Sequence, residues 1–314
     1  MATWIALAVV FLSVSQTVST SLKPPAVKPV RRFAARAGLP PSYADAALAR
    51  RLYGDESAAA GASAALILAA LAVGLAVPAL RDDGAWAVTI VAAYLLGRAV
   101  GAVIPVVKAT VARDDDAPRV ARPFTPSVTD YVSPLAYGAA LASGLLPAAC
   151  SGLVVLFLGT DLVDAAQADW PLVAVGAAAG PAATGGAAVL AARFTAAPRR
   201  AAAPHALAAD DAVRAYRIRA LLAAATGVSA LAATTIAGTA TAMLNGTTVE
   251  NPAAVLLMGA ALASGLVFVG TTAAVDVIGT GRRYRERLWP QGLPEGPLPE
   301  GGPGGGSGAD GGAR

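Results

Sequence analysis

Seven stretches of this chain, at residues 3–20, 58–80, 86–107, 135–160, 170–192, 220–244 and 253–280, are mostly apolar and continuously so. A hydrocarbon core about 30 Å thick is crossed by about 20 residues of α-helix rising 1.5 Å each, and every stretch is about long enough. In lipid each backbone N–H and C=O must find a partner within the structure, which leaves only helices and closed barrels. Barrel strands alternate polar and apolar residues over about ten positions, whereas these runs are unbroken and alanine-rich. The expected fold is therefore all-α, a polytopic transmembrane bundle of about seven spans. Composition agrees: 14% of residues are charged and the mean hydropathy is +0.59, against about 25% charged in soluble domains. Residues 1–288 are expected to form one helical membrane domain, and 289–314, rich in proline and glycine, a disordered cytoplasmic tail.

Lysine and arginine set the orientation, because cationic connections are retained on the cytoplasmic side. Residues 21–57 carry seven of them, 108–132 four and 193–219 six, and Arg282, Arg283, Arg285 and Arg287 cluster after the last span. The alternate connections hold Arg81 alone, or none in 161–169 and 245–251. Seven spans fit this pattern with the N-terminus outside and the C-terminus inside, and Trp86 and Trp170 fall at expected outer boundaries. The first span has a polar second half, as the end of a secretory signal peptide would. "MATWIALAVV" has no positive side chain and no small-residue cleavage site follows, so an uncleaved first helix is expected.

The basic connections share a pattern of proline, then aspartate, then helix entry. "SYADAALARRLY" at 42–53 and "AADDAVRAYRIR" at 208–219 align at Asp45 and Asp211, and "TPSVTDYVSPL" at 125–135 puts Asp130 in a comparable place. One reading is three stacked hairpins, spans two and three, four and five, six and seven, as an internal repeat after a lone first helix. The plainer reading is that each aspartate caps a helix N-terminus while the arginines stay in the cytosol.

Two charges fall well inside the spans. Arg98 stands about ten residues, roughly 15 Å, from the inner end of the third span, and Asp276 about five residues, roughly 7.5 Å, from that of the seventh. Their depths differ by about 7 Å, within an extended arginine's reach, so an ion pair between these helices is expected. It has two uses, as a packing device or as the gate or cation site of a transporter built on helices kinked at Pro105, Pro147 and Pro181. "GRAVG" at 97–101 and "GAAAG" at 176–180 place Gly97, Gly101, Gly176 and Gly180 at the spacing that lets helices pack closely, within one chain or between copies. Span six carries Thr226, Ser229, Thr234, Thr235, Thr239 and Thr241, which either line a polar path or bond back to their own helix.

Enzyme chemistry finds little support. The one histidine, His205, lies in a connection away from any intramembrane serine, so no Ser-His dyad or histidine metal centre is expected. The single cysteine, Cys150, sits in an apolar run and forms no intrachain disulfide. "DLVDAAQAD" at 161–169 is similar to the aspartate-rich motifs of membrane prenyltransferases, but its spacing departs from them and no second motif occurs, so a solvated acidic loop is expected. No GxxxxGK[ST] loop is present, and no cofactor is expected. The net charge of +4 follows from the basic connections, which attract anionic lipid; no aromatic-interleaved basic region points to nucleic acid.

The alanine, glycine and arginine bias, with "ADDAVRAYRIRALL" at 209–222 and "TDYVSP" at 129–134 as its most characteristic segments, resembles uncharacterised multi-pass membrane proteins of high-GC actinobacteria. That resemblance implies a bacterial cytoplasmic membrane and carries no activity and no site residues. The expected role is a non-enzymatic membrane anchor, sensor or accessory subunit that contacts lipid, a partner protein or further copies of itself. The alternative is a small-solute transporter using Arg98 and Asp276.

Overall fold

The structure, a computed structural model, describes residues 27–76, 83–111, 125–157, 170–197, 204–242 and 282–294, together with isolated helical positions 255, 256, 259 and 270. Among the described residues the chain is helical and has no strand. Helix α1 spans Val27–Ala37 and a 3₁₀ turn Pro41–Tyr43; α2 spans Ala46–Ala76, α3 Asp83–Val111, α4 Val128–Tyr131, α5 Pro134–Ser143, α6 Leu146–Phe157, α7 Trp170–Ala196, α8 Pro204–Ala242 and α9 Arg282–Leu288.

Five helical segments, Ala46–Val73, Thr89–Val111, Pro134–Phe157, Val173–Ala196 and Pro204–Ala240, are long and apolar enough to cross a membrane. They fall on the second to sixth expected spans. The first, 3–20, lies outside the described residues, and so does the seventh, 253–280, but for the four isolated positions. The outer surface of the bundle is apolar: Leu68, Val100, Leu135, Leu156, Val175 and Val189 are all exposed. An apolar exterior of this extent suits hydrocarbon as its solvent, as a multi-pass membrane protein requires.

Among the described helices α2 and α8 overrun a span the furthest. With 31 residues in α2 and 39 in α8, they run about 46 and 58 Å, well beyond the roughly 30 Å of a hydrocarbon core. The surplus turns carry their charges: Arg50, Arg51, Asp55 and Glu56 on α2, and Asp210, Asp211, Arg214, Arg217 and Arg219 on α8. On α8 good helix formers, with no proline or glycine near Ala220, make segment and span one continuous helix, and α2 stays helical through Gly54 and Gly61. Asp45 caps α2 by accepting from the Leu48 N–H at 2.7 Å, and Ser133 caps α5 by accepting from Ala136 at 3.1 Å, with Pro134 following.

Small residues set the helix spacing. Gly97 of α3 lies against the backbone of Ser63 and Gly101 against that of Ala59, so α2 and α3 pack antiparallel with no room for a Cβ at either glycine. Gly180 of α7 meets the carbonyl of Gly144 and the ring of Pro147, and a Cβ on Gly176 would stand 2.9 Å from the side chain of Ile236 on α8. The fourth span is interrupted between α5 and α6, where Pro147 lies in the first turn of α6 and cannot donate to the preceding turn. Pro105 and Pro181, by contrast, lie inside α3 and α7, which continue through them. The hydroxyls of Thr226, Ser229, Thr234, Thr235 and Thr239 each return to a carbonyl four residues earlier in α8, at 2.8 to 3.0 Å.

Candidate functional site

The larger buried cluster sits where the basic connections converge, and it is here that side chains distant in sequence meet. At its centre is Asp211, fully buried on α8. One carboxylate oxygen accepts the Tyr131 hydroxyl at 3.2 Å and the other the Trp289 indole N–H at 3.0 Å. Asp211 thus joins α8 to the segment before α5 and to the residue after α9. It lies eight positions into its helix, so it does not cap α8, and the three aligned aspartates have three roles. Asp45 is a cap. Asp130 accepts the backbone N–H and hydroxyl of Ser127 at 2.8 and 3.0 Å, and pairs with Arg287 at 3.3 Å.

Around this centre the charges on α8 alternate in partner. Arg214 bonds Asp210 at 2.8 Å and the Phe194 carbonyl at 2.7 Å, with its guanidinium 5.0 Å above the Phe194 ring. The Phe194 contact ends α7 against α8. Arg217 holds Asp55 of α2 in a two-pronged pair at 2.7 and 2.8 Å. Arg51 reaches Asp210 at 3.3 Å. A planar guanidinium satisfies both carboxylate oxygens at once, which fixes angle as well as distance between α2 and α8.

The C-terminal segment 282–294 completes this cap. Arg283 donates to the Thr129 carbonyl at 2.8 Å, Tyr284 to the Ala37 carbonyl at 2.9 Å, and Tyr43 to the Pro294 carbonyl at 2.5 Å. Tyr284 and Leu288 are buried in the core, and Trp289 and Leu293 pack against it. Residues 289–294, expected in a solvated tail, are therefore docked on the bundle; 295–314 lie outside the described residues. Burial raises the hydroxyls of Tyr43 and Tyr284 above the ordinary phenol range. Burial also pushes Asp130 upward, but the bonds from Ser127 and the Arg287 charge outweigh it and hold the carboxyl below its usual range.

Beside the 3₁₀ turn, a small cavity of about 70 Å³ is lined by Tyr43, Asp45, Leu48, Arg51 and His205, with the imidazole edge-on to Tyr43 at 6.4 Å. Among the described residues no group of three or more histidine, cysteine or acidic side chains is placed to hold a metal ion.

Of the two charges singled out from sequence, only Arg98 is among the described residues. Arg98 is half-buried on α3, next to the close contact at Gly97. Asp276 lies outside the described residues, and the expected pair with it. The sequence did mark the cap's segments, since 129–134 and 209–222 supply Tyr131, Asp211, Arg214 and Arg217. It gave no sign that Trp289 is their partner, because a lone tryptophan ahead of a Pro/Gly tail has no periodicity to reveal its contacts. No protein-family model, curated protein or solved structure matches this chain.

Proposed function

We propose that the chain is a multi-pass protein of the bacterial cytoplasmic membrane, of the actinobacterial type, with seven spans, its N-terminus outside and its C-terminus inside. In this reading it is a non-enzymatic anchor or accessory subunit whose cytoplasmic cap holds the C-terminal segment in a fixed place for lipid and partner contacts. The observation that carries it is Asp211, buried between Tyr131 and Trp289, which ties segment 282–294 to the longest of the described helices. Two further pairs, Arg217 with Asp55 and Arg287 with Asp130, bond across long sequence separations, as a structural junction does.

Single cysteines in a Cys150→Ala background, labelled from each side with an impermeant thiol reagent, test this. Cys150 is buried and small, so alanine replaces it with little loss. A cysteine at Gln291 is expected to label from the cytoplasm only, one at Thr247 from outside only, and positions around Arg98 from neither side. Reversed sidedness overturns the topology, and a labelled stripe reaching past Arg98 marks a water-filled path and replaces this reading with the transporter.

A further inference from the structure

We infer that α1 is a preformed docking surface for the phosphate headgroups of anionic lipids, held by the cap at the level of the membrane interface. The inference rests on the membrane reading above and deepens it by naming the lipid class and the element that selects it.

The sequence of α1, "VKPVRRFAARA", is strongly amphipathic and has no acidic residue. Its two faces are used differently. Val30, Ala34 and Ala37 are buried in the cap, whereas Lys28, Arg31, Arg32 and Arg36 are all exposed. A helix adsorbed on a membrane by itself would turn its apolar face to lipid; here the bundle takes that face and leaves the cations outward. Among the described residues, Arg51, Arg214, Arg217 and Arg287 each pair with a carboxylate, and none of the four cations of α1 does. Asp55, Asp130 and Asp210 are thus engaged by other arginines, and the α1 cations face outward without a carboxylate among the described residues.

Depth comes from Phe33. Its ring packs edge-on against Tyr216 of α8 at 5.7 Å, and Tyr216 stands four residues, about 6 Å, before Ala220, where the apolar part of α8 begins. Tyrosine in that position sits at headgroup level, and α1 sits beside it. Three of the four cations are arginines, whose planar forks match phosphate oxygens. A headgroup layer is the anionic partner that lies at this depth on every side of the bundle, and each juxtamembrane cation strengthens the attraction.

The full chain, wild type and with Lys28, Arg31, Arg32 and Arg36 all replaced by glutamine, is first reconstituted in phosphatidylcholine vesicles and floated after an alkaline wash. Failure of the wild type to float overturns the membrane reading itself. Each protein is then solubilised in a neutral detergent and titrated with short-chain phosphatidylglycerol or phosphatidylcholine, reading bound lipid. The wild type is expected to prefer phosphatidylglycerol, and the variant to bind it about tenfold or more weakly, with phosphatidylcholine binding unchanged. High salt should lower the wild-type preference in the same direction. Equal phosphatidylglycerol binding by floated wild type and variant, or no preference between the two lipids, overturns the inference and leaves the membrane reading intact. Tighter binding of soluble polyglutamate than of phosphatidylglycerol also overturns it, in favour of an acidic protein partner.

Discussion

Asp211 shows what one buried side chain can hold in place. Its two oxygens each take a donor from a different part of the chain, so replacing it removes the acceptor that the Tyr131 hydroxyl and the part-buried Trp289 N–H share. A buried donor left without its acceptor costs about 1 to 3 kcal/mol, more than the roughly 1 kcal/mol that the bond itself adds. Asp211→Ala is therefore expected to lower the thermal stability of the detergent-solubilised chain clearly. The effect should be strongly non-additive with Trp289→Phe, since that change removes one of those donors. Additive losses in this cycle would mean that the indole and the carboxylate do not act together. Tyr131 is bound by more than its hydroxyl, as its carbonyl accepts from Arg219 at 3.4 Å, so Tyr131→Phe should be milder than loss of Asp211.

At the scale of elements, the helix pairs are set by how closely backbones approach. Gly97 and Gly101 touch the backbone of α2 itself, which cannot move aside as a flexible side chain would. Overpacking of this kind costs about 1 to 3 kcal/mol. Gly61, midway between Ala59 and Ser63 and so on the other face of α2, has open space around the position of a Cβ, so alanine there should gain up to about 1 kcal/mol of helix propensity. Melting temperatures of Gly97→Ala, Gly101→Ala and Gly61→Ala are thus expected to move in opposite senses, down for the first two and up for the third. A common direction would place the α2 and α3 contact elsewhere. Five long apolar helices were legible because apolar runs report the thickness of the medium, though α2 and α8 begin well before the runs do. Which small residues touch was not, because an alanine- and glycine-rich chain offers many glycines of equal appearance, and Gly61 and Gly97 are told apart only by what faces them.

At the scale of the whole molecule, the cap closes the chain on itself: α1 near its start and residues 282–294 near its end meet over the first half of α8. Little of this was legible beforehand, since contacts such as Tyr43 with Pro294 span most of the sequence and leave no local pattern. The basic segments were visible as charge, but charge alone did not distinguish Arg217, paired with Asp55, from the outward cations of α1. The groups that latch the C-terminal segment also give it a pH window. Asp130 has its carboxyl held below the ordinary 3.8 in the folded chain. A depressed value contributes stability that is present above the unfolded value and is lost as pH falls through the folded one, so the Arg287 contact should survive mild acid and fail only in strong acid. Tyr43 and Tyr284 must keep their protons to donate to Pro294 and Ala37, and burial raises both above the ordinary 10.0. A raised value contributes stability that is complete below the unfolded value and is lost as pH rises through the folded one. Proteolysis at the arginines of α9 is accordingly expected to stay slow from about pH 4 to pH 10, and to speed up only beyond either limit. Asp130→Asn should flatten the acid limb and leave the alkaline limb in place, and Tyr43→Phe with Tyr284→Phe should do the reverse; release of the segment at neutral pH in the wild type would show that these bonds do not hold it.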